Sequence, residues 1–159
     1  MFTLKFFYDL TLDELNEIYL LRGLVFVVGQ KITEENEIDR ADRQALHFFH
    51  ANKRGEVLAY LRLFDLATFS DESHPAEPGA WTLGRVAVHP DARGTGLGRR
   101  LLNEALTWIE ENTEAERISI SAQAYLADSY YGAAGFEVVG DPYLEAGIEH
   151  VHMVRPIER

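Results

Sequence analysis

A chain of 159 residues, 47% hydrophobic and 26% charged, suits one soluble domain spanning residues 1–159 with a sizeable core. Its net charge of −11 argues against a broad nucleic-acid surface, which needs excess lysine and arginine. The absence of cysteine excludes disulfides, thiolate zinc sites and a cysteine acyl-enzyme. No apolar run approaches the roughly 20 residues of a membrane helix, and the start MFTLKFFYDL has neither a basic n-region nor a cleavage site. Cytoplasm is the expected compartment, with no membrane or nucleic-acid partner.

In chain order, Phe2 to Tyr8 reads as a first strand. Thr11-x-x-Glu14 is a capping box, and Leu12, Leu15, Ile18, Tyr19 and Arg22 follow at helical spacing to about Gly23. Leu24 to Val28 is uniformly apolar, and periodicity does not separate a last helical turn from a buried connector. Lys31 to Gln44 is the most acidic segment, with Glu34, Glu35, Glu37, Asp39 and Asp42. It is either a solvated loop or short helix, or an acidic wall that attracts a cationic amine. Ala45 to Ala51 and Glu56 to Leu66 flank a hairpin turn at Asn52 to Gly55. A loop, Ala67 to Gly79, precedes a strand from Trp81, which breaks at His89-Pro90-Asp91. Leu97, Leu101, Leu102, Ala105, Leu106 and Ile109 form a helical stripe ending near Asn112. Arg117 to Gln123 is a strand, and Ala127 to Ala134 a short helix ended by Gly135. Two final strands, Phe136 to Val139 and Glu149 to Val154, are joined across Asp141-Pro142 and Gly147. The order predicts an α/β domain whose sheet is mixed, because hairpins and βα units both occur.

Between the Trp81 strand and its helix lies Arg93-Gly94-Thr95-Gly96-Leu97-Gly98. A strand feeding a glycine loop at a helix start makes an anion cradle, with close backbone approach and the helix dipole acting together. The nucleotide pattern G-x-x-x-x-G-K-[ST] is absent, and in G-x-G-x-x-G the third position falls on Arg99. Arg93, Arg99 and Arg100 supply local positive charge in an acidic chain.

The R-x-x-G-x-G order from Arg93 to Gly98 resembles the acyl-coenzyme A loop of the GNAT acetyltransferases. Tyr130-Tyr131-Gly132-Ala133-Ala134-Gly135-Phe136 is similar to that family's second motif, so the resemblance spans nearly the whole chain. More narrowly, Val25 to Val28 with Gln30, Glu37-Ile38-Asp39, His47, Gly84-Arg85-Val86, Ala122-Gln123 and Tyr143-x-x-x-Gly147-Ile148-x-His150 resemble the ElaA subgroup. Gly29 stands where that subgroup commonly has glutamate, so no role for that carboxylate carries over. Ala124 replaces a coenzyme-contacting asparagine of many relatives, with Gln123 its neighbour.

The resemblance implies the acyl-CoA N-acyltransferase fold and acetyl transfer from acetyl-CoA to a primary amine, with a small amine or a peptide amine as partner and no metal. It places the coenzyme on Val86, Ala87, Val88, Arg93, Gly94, Thr95, Gly96, Leu97, Gly98, Arg99, Gln123 and Tyr131. Val86 N–H is then the donor to the thioester oxygen, and Tyr131 the acid for the departing thiolate. Thr82 and Gly84 offer no base, which leaves Glu37, Asp39, His47 and His150 as candidates. Arg85 either orients a carboxylate of the acidic segment or forms a structural ion pair. A non-catalytic acyl-CoA module or sensor of the same fold is the alternative, and a homodimer stays open.

Overall fold

The computed structural model describes residues 1–33 and 35–159; Glu34 of the acidic segment lies outside the described residues. Seven strands form a mixed sheet in the order β1-β2-β3-β4-β5-β7-β6, and the α/β class holds. Two compact units make up the chain, Met1–Leu63 with Arg85–Ala105, and Phe64–Gly84 with Leu106–Arg159.

The first unit begins with β1 (Thr3–Phe6), and then α1 (Leu12–Arg22), whose start carries the capping box: Thr11 N–H donates to Glu14, and Glu14 N–H donates to the Thr11 hydroxyl. Leu12 is 87% exposed, because the first turn projects beyond the core and only Ile18, Leu21 and Arg22 of α1 are buried. Of the two readings of the apolar run after α1, the last helical turn is the one observed, wider than an α turn. It is a π turn, Gly23–Gly29, in which Gln30 N–H donates to Val25 O. This wider turn adds Val25 and Phe26 to a core of Ile18, Leu21, Phe49, Val57, Tyr60 and Ala87. The hairpin joins β2 (Leu46–Ala51) to β3 (Val57–Asp65), setting His47 opposite Arg62 and Phe49 opposite Tyr60.

In the second unit β4 (Ala80–Val88), which continues into the first, begins parallel to β5 (Arg117–Gln123), with Ala80 opposite Arg117 and Trp81 opposite Ile118. β5 alternates, burying Ile118, Ile120 and Ala122 while Ser119, Ser121 and Gln123 stay half-buried. The helix α2 (Leu97–Asn112) lies on the Ile118 side: Trp108 touches Trp81, and Glu110 pairs with Arg155, which stands opposite Ile118. The predicted break at Asp141-Pro142 is not one. β6 (Glu137–Glu145) runs through it with a shifted register between Val139 and Tyr143, where proline costs no regular ladder bond. Its turn into β7 (Ile148–Pro156) is Ala146-Gly147, both at positive φ as a two-residue hairpin requires.

Candidate active site

The glycine loop and the second half of β4 belong to the first unit. After β4, a short 3-10 turn at Pro90–Ala92 leads into the loop. The Thr95 hydroxyl donates to Ala92 O at 2.5 Å and accepts from Leu97 N–H at 3.3 Å, which ties the loop to the start of α2. Gly94 and Gly96 have φ of 78° and 83°, and a Cβ on either would meet nothing within 4 Å. Among the described residues the amides of Gly94, Thr95 and Gly96 have no acceptor in the protein. Exposed and unpaired, with left-handed glycines on either side of Thr95, these amides suit an anion with several oxygens. Arg93 is fixed beside them by a bond from Nε to Val88 O at 3.3 Å, Arg99 is exposed, Leu97 is buried and Gly98 half-buried.

Within β4, Arg85 adopts φ of 52°, a left-handed conformation costing a non-glycine residue about 1–2 kcal/mol. Its guanidinium is held by Glu37 at 3.1 Å and Asp39 at 3.5 Å. The kink directly precedes Val86 and Val88, both half-buried, while Ala87 is in the core.

The acidic segment is not an open wall. Arg22, fully buried, donates to Glu37 and Asp42 carboxylates at 2.7 and 2.8 Å and to Glu37 O at 2.7 Å. Arg62 donates to Asp39 at 2.8 Å and Asp42 at 2.9 Å. Burial raises the Asp39 pKa, but the Arg62 hydrogen bond and the Arg62 and Arg85 charges outweigh it and hold the carboxyl below its ordinary range. Glu37 and Asp39 are thus neutralised by guanidinium groups. His47 is fully buried, and its Nε2–H donates to Asp42 O at 2.8 Å while Nδ1 accepts from the Tyr60 hydroxyl at 2.7 Å. Burial pushes its pKa down. With both ring nitrogens engaged, His47 acts as a packing and hydrogen-bonding residue of the core.

The second unit holds Gln123, Tyr131 and His150. The predicted helix after β5 is three short pieces: 3-10 turns at Ala124–Leu126 and Gly132–Ala134 flank a π turn, Ala127–Tyr131, and Gly135 at φ 95° ends them. Helical spacing sets one of Tyr130 and Tyr131 toward the core and the other toward a cleft, and the family resemblance implies that Tyr131 is the latter, whereas here Tyr131 is the buried ring and Tyr130 the half-buried one. Tyr131 meets Tyr130 and Phe136 edge-on at 4.9 and 5.9 Å. Burial, and then the neighbouring Tyr130 and Tyr125, push its phenol pKa up, so the hydroxyl stays protonated throughout the neutral range.

His150 stands opposite Gln123 in the β5–β7 ladder and opposite Tyr143 in β6. Its Nδ1 lies 2.7 Å from Ile148 O, and its Nε2 lies 3.3 Å from Glu145. Glu145 also accepts from Ser73 and, at 3.4 Å, from Ser121, whose hydroxyl contacts that of Tyr143. Burial raises the Tyr143 phenol pKa. Thr82 is fully buried and its hydroxyl has no partner, an omission worth about 1–3 kcal/mol when a buried polar atom goes unmatched. Sequence reasoning passed over Ser73, Ser121 and Glu145; the period-two rows Ser119-x-Ser121-x-Gln123, Tyr143-x-Glu145 and His150-x-His152 were the available signal.

Among the described residues no group of three His, Cys, Asp or Glu converges as metal ligands, and no helix is long and apolar enough to cross a membrane.

Residues 26–156 match a family model described as Acetyltransferase (GNAT) domain. A UPF0039 protein of Schizosaccharomyces pombe is 39% identical over 153 residues, covering 96% of this chain and 94% of the relative. An acyl-CoA N-acyltransferase structure from Pseudomonas aeruginosa is 38% identical with TM-score 0.82, covering 98% of this chain and 99% of that one. Escherichia coli ElaA, also a solved structure, is 25% identical with TM-score 0.81, covering 98% and 99%. By its family-model match and its relatives, this protein belongs to the GNAT acetyltransferase family, among the ElaA and UPF0039 proteins.

Proposed function

We propose that this chain is an N-acyltransferase that moves an acetyl group from acetyl-CoA to a primary amine by direct attack, working in the cytoplasm as one catalytic domain. The observation that carries the reading is the loop Arg93 to Gly98, where three unpaired amides and two open glycines precede α2. That geometry fits a pyrophosphate, with Arg93 and Arg99 adding charge; the family resemblance adds Val86 to Val88, Gln123 and Tyr131 as coenzyme contacts. The relative from P. aeruginosa, named an acyl-CoA N-acyltransferase, supports the same coenzyme. When bound, acetyl-CoA supplies an activated thioester. The Val86 N–H then stabilises charge on the thioester oxygen, and Tyr131, kept protonated by burial, gives a proton to the thiolate. A chain without cysteine offers no thiol for an acyl-enzyme, which favours direct attack.

The engagement of Glu37, Asp39 and His47 favours a second reading, a non-catalytic acyl-CoA module. Thiol release from acetyl-CoA against an amine panel, with coenzyme binding measured in parallel, separates the two. Turnover that falls on Tyr131→Phe supports the enzyme; coenzyme binding without turnover, unchanged by that substitution, establishes the module.

A further inference from the structure

The β5–β7–β6 ladder has two unlike sides. Trp81 and Arg155 stand opposite Ile118 and reach α2 through Trp108 and Glu110. Alternation therefore turns Thr82, Ser121, Gln123, His150 and Tyr143 to the other, polar side. The segment before β4 crosses that side, because Ser73 donates to Glu145 and Ser119 donates to Glu77 at 3.2 Å. Among the described residues two buried polar atoms in this unit have no partner, the Thr82 hydroxyl and Nε2 of His74, the latter one residue from Ser73.

Glu145 differs from the ion-paired carboxylates. Glu37, Asp39, Asp42, Glu77 and Glu110 each face a guanidinium, whereas Glu145 faces two serine hydroxyls and an imidazole. Because a backbone carbonyl only accepts, the neutral His150 ring carries its proton on Nδ1, toward Ile148 O. Its Nε2 lone pair then sits 3.3 Å from a Glu145 oxygen. Two acceptors so close call for a shared proton, either on Nε2 of the imidazolium or on a bound N–H donor that reaches both from one side.

We infer that this polar face is the acceptor site and takes a small, hydroxylated primary amine without a carboxylate, with Glu145 holding the ammonium and His150 Nε2 taking its proton. Gln123, opposite His150 and ahead of the Tyr131 turn, is itself one of the residues assigned to the coenzyme. The serine, threonine and tyrosine hydroxyls match hydroxyls on the amine, and Glu145 repels a second carboxylate. The Ser73–Glu145 contact limits the ligand's size. In the step, the ammonium N–H bond breaks, an Nε2–H bond forms and the electron pair stays on the amine nitrogen. That pair makes the bond to the acyl carbon as carbon–sulfur breaks, Tyr131 protonates the departing thiolate, and the second amine proton restores the Tyr131 hydroxyl. Glu145 stabilises the imidazolium.

This inference rests on the acyltransferase reading, and one experiment separates the two. Steady-state thiol release from acetyl-CoA is measured with ethanolamine, serinol and serine, beside coenzyme protection in thermal melts. The wild type is expected to favour serinol over serine at least tenfold in kcat/KM. Glu145→Gln should raise the serinol KM tenfold or more and narrow that preference, with coenzyme protection unchanged. His150→Gln should lower kcat tenfold or more at unchanged KM, and Thr82→Val, which keeps the side-chain volume, should raise the serinol KM. Should His150→Gln fail to fold, the Glu145 and Thr82 variants still decide. Equal use of serine and serinol, an unchanged KM in Glu145→Gln, or coenzyme protection with no amine turned over overturns the acceptor site. Absence of coenzyme protection in the wild type overturns the acyltransferase reading itself.

Discussion

Tyr131→Phe removes one oxygen and keeps the edge-on ring contacts with Tyr130 and Phe136, so the variant separates chemistry from packing. A kcat lower by about 100-fold with unchanged coenzyme affinity is expected, in line with what a positioned acid contributes. Equal kcat in stopped thiol-release assays would remove Tyr131 from the reaction. His47 makes the opposite kind of prediction, since it is tied to the core. Burial holds its folded pKa below the unfolded value of about 6.5, so below that pH the unfolded chain binds more protons than the folded one. The stability is full above about 6.5 and is lost as the pH falls toward the lowered folded value. Asp39, also lowered, adds a separate loss beginning only below its unfolded value of about 3.9. The urea midpoint should therefore drop between pH 7 and pH 5. In His47→Gln the midpoint should start lower, with the unfolding free energy reduced by about 1–3 kcal/mol for groups left unmatched, and change less across that window. Spacing alone could not tell His47 from His150, because both lie on strands and only the partners of each ring nitrogen assign their work.

The Tyr131 turn depends on a close approach. A Cβ on Gly132 would lie 2.9 Å from Ala127 O, the carbonyl that accepts from Gly132 N–H to close the π turn. Gly132→Ala must open that turn and shift Tyr131, so a lower melting temperature together with a kcat reduced at least tenfold is expected; a variant matching wild type in both would show the turn to be tolerant. Such wide turns left little trace in the sequence, since Leu24 to Val28 and Ala127 to Tyr131 follow neither a 3.6 nor a 2 period cleanly. β5 was legible to its end residues because Ile118, Ile120 and Ala122 alternate with serines and glutamine. The capping box marked α1 equally well, although Leu12, apolar and correctly spaced, lies outside the core. Asp141-Pro142 misled for a physical reason: a register shift lets the strand carry proline, and no local pattern announces that shift. The glycine loop was readable because its conformation demands glycine at Gly94 and Gly96. The Arg85 ion pair with the acidic segment was legible as one of two readings, whereas the pairs of Glu37, Asp39 and Asp42 with Arg22 and Arg62 were not, since those arginines are far from them in sequence.

On the proposed acyltransferase reading, a chain of net charge −11 with a polyanionic coenzyme and a cationic amine as substrates should respond to salt in opposite senses for the two. The screening length falls from about 30 Å at 0.01 M to about 8 Å at 0.15 M salt. Repulsion of the coenzyme by the whole acidic chain acts over the longer distance and is the first to be removed. Attraction by the loop amides and Arg93 acts at contact and survives. Coenzyme association should therefore accelerate, and its Kd fall or hold level, between those salt concentrations. The amine gains from the same field, so its KM should rise as salt is added. Stopped-flow binding of coenzyme and steady-state KM for the amine, measured over one salt series, test both signs together. A coenzyme Kd that weakens more than about fivefold over the series would mean that the Arg93, Arg99 and Arg100 cluster, rather than the net charge, governs the approach of the phosphates.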